Sequence, residues 1–108
     1  MGAEYKITVP SRMRSVVNLE NFKKFKSFWK TDEIYDNYFL GRMLNSDFPE
    51  IMIWTREGAL GVTVSGGDSH AWNELQSFVR HLKDVCPDLE ITDWDSGDDV
   101  SDAFLVPS

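Results

Sequence analysis

Hydrophobic and polar residues alternate most regularly in two neighbouring stretches near the middle of the chain. Residues 51–56 (IMIWTR) and 59–65 (ALGVTVS) are rich in β-branched and aromatic side chains, and they flank Glu57 and Gly58. Two such runs separated by a short glycine-containing turn are typical of a β-hairpin. The pattern therefore predicts two antiparallel strands joined at Gly58.

The register of this hairpin decides where Trp54 lies. A two-residue turn places Trp54 beside Gly61, on the face opposite Ile53. A three-residue turn with a bulge at Gly58 shifts the pairing by one residue and sets Trp54 across from Leu60. Both registers stay open on the sequence alone, and the size of the indole favours burial of Trp54 in the core.

Apolar residues at helical spacing predict a first helix of about a dozen residues after Asn18, which is a good N-cap. Its apolar stripe consists of Leu19, Phe22, Phe25 and Trp29. Thr31 and Asp32 are suited to cap a second, short helix. Residues 38–44 (YFLGRML) either continue that helix or turn into a strand, because Gly41 weakens both interpretations.

A third helix and two further strands complete the pattern. Residues 69–85 repeat apolar positions at steps of three and four, and Pro87 ends the run. Its stripe consists of Trp72, Leu75, Val79 and Leu82. Residues 4–9 (EYKITV) and 88–94 (DLEITDW) are typical of strands. This order predicts an α+β fold, a two-layer sandwich in which two to three helices pack on one face of a mainly antiparallel sheet.

Length and composition suit one small domain. The chain has 108 residues, 42% of them hydrophobic, which excludes general disorder. We predict a single α+β domain over residues 1–94 and an acidic, mobile segment over residues 95–108, whose apolar end at 103–106 docks either on the body or on a partner. No long apolar run or secretory leader is visible. Together with the single cysteine, Cys86, this predicts a cytoplasmic protein without a membrane partner, with Cys86 as a small core residue.

Charge is distributed unevenly along the chain. The first 30 residues hold seven basic and two acidic side chains, whereas the remainder holds four basic and sixteen acidic ones. No basic residue follows Lys83, while eight acidic residues do. The net charge of −7 disfavours direct binding to nucleic acid and favours a basic protein partner.

The candidate interaction site combines tryptophans with acids of the C-terminal half. An indole surrounded by carboxylates suits the cationic surface of a protein such as a nuclease. The predicted partner-binding residues are Trp54, Asp93, Trp94, Asp95, Asp98, Asp99 and Asp102. We therefore expect a non-enzymatic inhibitor or regulator, comparable in role to immunity proteins, antitoxins or phage-encoded inhibitors.

Two alternative functions stay open. The first is a ligand-binding or enzymatic domain that uses the strand-to-helix turn at residues 66–70 (GGDSH). Asp68 opposes a phosphate there and is better suited to cap a helix. His70 and His81 are about 16 Å apart along a helix, too far to share a metal ion. No catalytic motif, metal site or cofactor is predicted. The second alternative is a homo-oligomer subunit that associates through the Phe22 helix or the hairpin edge.

Overall fold

The computed structural model describes residues 3–12, 19–32, 34–44, 47–56, 58–65 and 70–105. Six strands, two α-helices and a short 3-10 helix follow one another in the described chain. In order, they are β1 (Ala3–Thr8), the 3-10 helix (Leu19–Lys24), β2 (Phe28–Asp32), β3 (Asn37–Arg42), β4 (Pro49–Arg56), β5 (Ala59–Val64), α1 (His70–Val85), β6 (Glu90–Asp93) and α2 (Asp102–Leu105).

All six strands belong to one antiparallel sheet with the order β2-β3-β4-β5-β1-β6. The first strand therefore lies between the fifth and the sixth. The predicted α+β class with an antiparallel sheet is confirmed, but one main helix, α1, takes the place of the two to three expected. In the described ranges, no helix is long and apolar enough to cross a membrane.

The core fills the space between α1 and one face of the sheet. Seven of the sheet residues that point into it are 2% exposed or less, namely Ile7, Leu40, Ile51, Ile53, Leu60, Val62 and Ile91. From α1, the predicted stripe contributes Leu75, Val79 and Leu82, all buried, and a half-buried Trp72. The third predicted helix is thus confirmed with its apolar face. Cys86 is also buried, as expected of a core residue.

The central hairpin adopts the register of a two-residue turn. Ile53 pairs with Val62 and Trp54 with Gly61, and Gly58 has a positive φ of 80°. Trp54 lies on the face opposite the core and is half-buried, so the expectation of core burial was wrong. The reason is Gly61, which has no side chain and leaves room for the indole to lie across β5.

The prediction of a first helix of about a dozen residues was wrong beyond residue 24. The 3-10 helix ends at Lys24, and Trp29 belongs to strand β2. Phe22 and Phe25 do face the interior, as the stripe required. The segment after them pairs with β3, and its aromatic and β-branched residues favour such pairing over helix. The proposed cap, Asn18, lies outside the described residues.

The second predicted helix was also wrong, since residues 34–36 lie in a turn between β2 and β3. The Asp32 carboxylate accepts the Ile34 N–H at 3.0 Å, and Asp36 adopts a left-handed φ of 56°. Asp32 therefore closes a turn with the same side chain that could have capped a helix. The alternative for residues 38–44 is resolved in favour of a strand, β3.

The segment after β6 packs on the body. Thr92 forms a bridge with Asp99, and α2 follows. Phe104 of α2 is fully buried, with ring centroids 5.2 Å from Tyr5 and 5.1 Å from Trp72. The apolar residue Phe104 thus docks on the body, one of the two outcomes expected for this end. The division of the chain at residue 94 stays a prediction.

Candidate functional site

One face of the sheet points away from α1 and is not covered by any helix of the described chain. We call it the open face. Strand registers place its residues in rows across the sheet, alternating with the core residues. They include Lys6, Lys30, Phe39, Met52, Trp54, Gly61 and Thr63.

Trp54 and Trp94 meet on the open face although 40 positions separate them in the chain. Their ring centroids are 5.7 Å apart with an interplanar angle of 56°. The Trp94 amide donates to the Glu4 carbonyl at 3.0 Å, which continues β6 alongside β1. Lys6, on β1, holds its ammonium 5.5 Å from the Trp94 ring centroid. Both indoles are half-buried, so part of each ring surface is accessible to a partner.

The turn after β6 is built around Asp93. Its Oδ1 accepts the N–H of Asp95 at 2.9 Å and that of Ser96 at 3.0 Å, while its own amide donates to the Asp98 carbonyl at 2.8 Å. Gly97 completes the turn with a φ of 77°. The bonds from Ser96 and Asp95 hold the Asp93 carboxyl pKa below its usual value. Asp93 is therefore an ionised, structural member of the turn.

The other predicted acids divide between this turn and α2. Asp99 accepts both the hydroxyl and the amide of Ser101, at 2.6 and 2.9 Å, and these bonds lower its pKa. Asp95 and Asp98 are exposed. Asp102 is exposed at the first residue of α2. The structure thus places Asp93, Asp95, Asp98 and Asp99 in one turn beside the two indoles, and Asp102 apart from them on the element that carries Phe104.

One ion pair joins the basic N-terminal part of the chain to the acidic C-terminal part. Arg12 donates to Asp88 at 2.8 and 3.0 Å, and both side chains are more than half exposed. The hydrogen bond raises the Arg12 pKa and lowers that of Asp88. Of the acidic residues after Lys83 in the described chain, Asp88 is the one that forms a salt bridge. In the turn after β6, Asp95 and Asp98 have exposed carboxylates.

The sequence interpretation missed a second aromatic group on the open face, near the β2 edge. The Trp29 and Phe39 centroids are 6.0 Å apart. The Lys30 ammonium lies 4.6 Å, and the Arg42 guanidinium carbon 5.4 Å, from the Trp29 ring. A period-two pattern was present in residues 37–42 (NYFLGR), where Phe39 stands between two core residues, but the helical interpretation concealed it.

The glycine-rich turn that motivated the ligand-binding alternative, residues 66–69, lies outside the described residues, and with it the assignment of Asp68 as a cap. His70 is the first residue of α1, and His81 lies three turns further along it. Among the described residues, no three His, Cys, Asp or Glu side chains are grouped so as to hold a metal ion.

The interfaces named for a homo-oligomer are not at the surface. Phe22 is fully buried, and Trp29 lies on a strand rather than on the same helix. The hairpin has no free edge either, because β4 pairs with β3 and β5 pairs with β1. The outermost strands of the sheet are β2 and β6, and residues 98–100 bond to the outer side of β6. The homo-oligomer subunit stays a prediction, but Phe22 is buried and both long edges of the hairpin are paired.

No protein-family model, curated protein or solved structure matches the chain. Function is therefore inferred from the chemistry of its own surfaces.

Proposed function

We propose that this is a small non-enzymatic binding protein that inhibits or regulates a basic protein, such as a nucleic-acid enzyme, through the open face around Trp54 and Trp94. The observation that carries the proposal is the contact of the two indoles, with centroids 5.7 Å apart. They lie beside the turn after β6, which we call the acidic turn and which contains Asp93, Asp95, Asp98 and Asp99. Tryptophan is among the residues that contribute most to protein interfaces, especially where a ring is anchored and partly accessible.

The two indoles form a preorganised anchor. Trp54 is held against Gly61, and Trp94 is held by the backbone bond to Glu4. A partner that packs on rings already in place orders few additional side chains, which reduces the entropic cost of binding. Aromatic faces also attract cations, and Lys6 already occupies such a position over Trp94. A lysine or arginine of the partner would find the same chemistry on the accessible ring surface.

The acidic turn supplies the charge complementarity. Asp93 and Asp99 stay ionised because hydrogen bonds stabilise their charged forms. Asp95 and Asp98 project from the same turn without a structural role for their carboxylates in the described chain. Negative charge at the edge of an aromatic anchor accelerates association with a basic surface and disfavours acidic partners.

The proposal is tested by capture from the source cell with matched variants. Asp95→Asn/Asp98→Asn removes two charges from the turn, and Asp36→Asn/Asp84→Asn removes two exposed charges elsewhere. We expect a basic protein, identified by mass spectrometry, to be retained by the wild type and the control but lost with the turn variant and with Trp94→Ala. Its association should slow steeply between about 50 and 500 mM salt.

Three outcomes contradict the proposal. The captured protein could be retained equally by all variants, its association could be insensitive to salt, or no basic protein could be retained at all. Circular dichroism of each variant establishes that the fold is intact before the comparison is made.

A further inference from the structure

A cleft of about 820 Å³ lies between residues 25–27 and the first half of α1. Small-molecule sites typically measure about 300–1,000 Å³. The cleft contains none of the open-face residues that form the proposed partner surface. It is therefore a separate candidate site, and what is inferred for it does not depend on the proposed function.

Two phenylalanines provide an apolar wall for this cleft. The rings of Phe25 and Phe78 meet edge to face with centroids 5.6 Å apart, and both are half-buried. Phe78 is supported from behind by the fully buried Phe22, 5.1 Å away. A rigid aromatic surface of this kind favours a flat ring as its ligand.

Glu74 provides a fixed acceptor in the same cleft. Its two carboxylate oxygens accept the N–H groups of Lys26 and Ser27 at 2.9 and 2.8 Å. Burial alone would raise the Glu74 pKa, but the bonds from Ser27 and Lys26 outweigh it and hold the pKa below its usual value. An ionised carboxylate only accepts hydrogen bonds and has about four acceptor positions. The nearby Ser27 hydroxyl can occupy one more position, so at least one remains, and it requires an N–H or O–H donor.

Further polar groups border Glu74. His70, Asn73 and Ser77 line the cleft together with Glu74. Along the helix, these four residues are separated by three, one and three positions, which places them on one helix face. Asn73 and Ser77 are exposed and both donate and accept. The Ser27 hydroxyl lies close enough to favour ionised Glu74, yet its oxygen is buried without a hydrogen-bond partner of good geometry. Because that oxygen is buried away from solvent, it supports Glu74 from within the protein and is not offered to a ligand.

We propose that the cleft binds a planar nitrogen heterocycle with N–H donors, such as the base of a nucleoside. The ring lies against Phe25 and Phe78. Its N–H groups donate to Glu74, and Asn73 and Ser77 bond to the remaining ring edge. A neutral sugar lacks the flat face, and a compound without N–H or O–H donors cannot bond to the acceptor position of Glu74 that Lys26 and Ser27 leave open.

Titration with adenosine, guanosine and cytidine, followed through backbone amide chemical shifts, tests the proposal. We expect saturable shifts at residues 25–27 and 73–78 with at least one of them. The nucleoside that binds should bind about tenfold more weakly once its exocyclic amine is dimethylated, as expected for loss of one hydrogen bond to a charged group.

Two matched variants on α1 complete the test. Asn73→Trp fills the cleft and should abolish the shifts, whereas His81→Trp places the same ring at an exposed position outside it and should leave them unchanged. If Asn73→Trp fails to fold, Asn73→Ala should weaken binding severalfold. The proposal is overturned if no nucleoside gives saturable shifts in the cleft, if both amine forms bind equally, or if Asn73→Trp binds like His81→Trp. None of these results affects capture of a basic partner by the open face.

Discussion

Adding a single methyl group at Gly61 tests whether the Trp54 indole lies across β5. A Cβ built on Gly61 would stand 2.5 Å from the indole Nε1 and closer still to Cε2 and Cζ2. Carbon atoms in ordinary contact are about 3.5–4.0 Å apart. In Gly61→Ala, the ring must therefore retreat by about 1 Å or more, away from its contact with Trp94.

The expected cost follows from the position of the ring. Overpacking costs about 1–3 kcal/mol in a closed core. Because Trp54 is half-buried on the open face and can swing toward solvent, we expect the lower part of that range, about 1–2 kcal/mol. For a domain near 100 residues, this lowers Tm by roughly 4–8 °C. Urea denaturation of Gly61→Ala gives the change in unfolding free energy directly.

A double-mutant cycle separates this clash from a general effect of the substitution. In the Trp54→Ala background, no indole lies over β5, so Gly61→Ala should cost almost nothing. The coupling energy between the two positions should then be about 1 kcal/mol or more. Equal losses of stability from Gly61→Ala in the two backgrounds would refute the packing described for Trp54 and remove the anchor on which the proposed function depends.

Three further predictions concern the other side of the sheet. Phe104→Ala removes a fully buried ring from its contacts with Tyr5 and Trp72 and should destabilise the fold by about 3–5 kcal/mol in urea denaturation; a loss below about 1 kcal/mol would show that α2 is not part of the core. The Glu74 pKa is lowered in the folded state. Ionised Glu74 therefore stabilises the fold above pH 4.5, and this contribution is lost as the pH falls through the folded pKa. Urea midpoints between pH 3 and 7 should fall less steeply on the acid side in Glu74→Gln, and an unchanged slope would contradict this. The Cys86 thiol is buried, and burial together with its bond to a carboxylate raises its pKa. Alkylation by iodoacetamide should be at least about 100-fold slower in the native protein than in urea, and comparable rates would contradict its burial.

Local signals in the sequence were sufficient for the hairpin and for α1. Glycine at position 58 and alternating residues on either side specify the hairpin without reference to the rest of the chain. The apolar stripe of α1 repeats over about three turns before Pro87, and no competing period interrupts it. The two strands of the hairpin are adjacent in sequence and pair with each other. Helix α1 packs on a whole face of the sheet.

Residues 28–32 and 34–37 were assigned to helices because the pattern in this part of the chain fits two structures. Phe22, Phe25 and Trp29 have helical spacing, and the first two do face the core. Trp29 follows a turn, and the Gly41 amide donates to the Ser27 carbonyl at 2.6 Å where β3 passes beside it. The pairing of β2 with β3 joins two segments of the chain, and the periodicity within one segment alone cannot predict it.

The candidate site was predicted in its components rather than in its arrangement. Trp54, Trp94 and the acids after it were identified from composition and charge. The contact between the indoles depends on β1 lying between β5 and β6, and strand order is not visible in a single sequence. The aromatic group around Trp29 was missed for the same reason, since it exists only once β2 and β3 pair.

The place of β1 in the sheet also shapes how the chain acquires its structure. During synthesis, β2 to β5 can pair in succession as each strand leaves the ribosome, whereas β1 is made first and gains its second neighbour last. Until β6 arrives, one side of β1 has unpaired backbone amides and carbonyls, and such an edge invites association with other chains. Nascent chains stalled before residue 90 should consequently be the most aggregation-prone species that this protein forms.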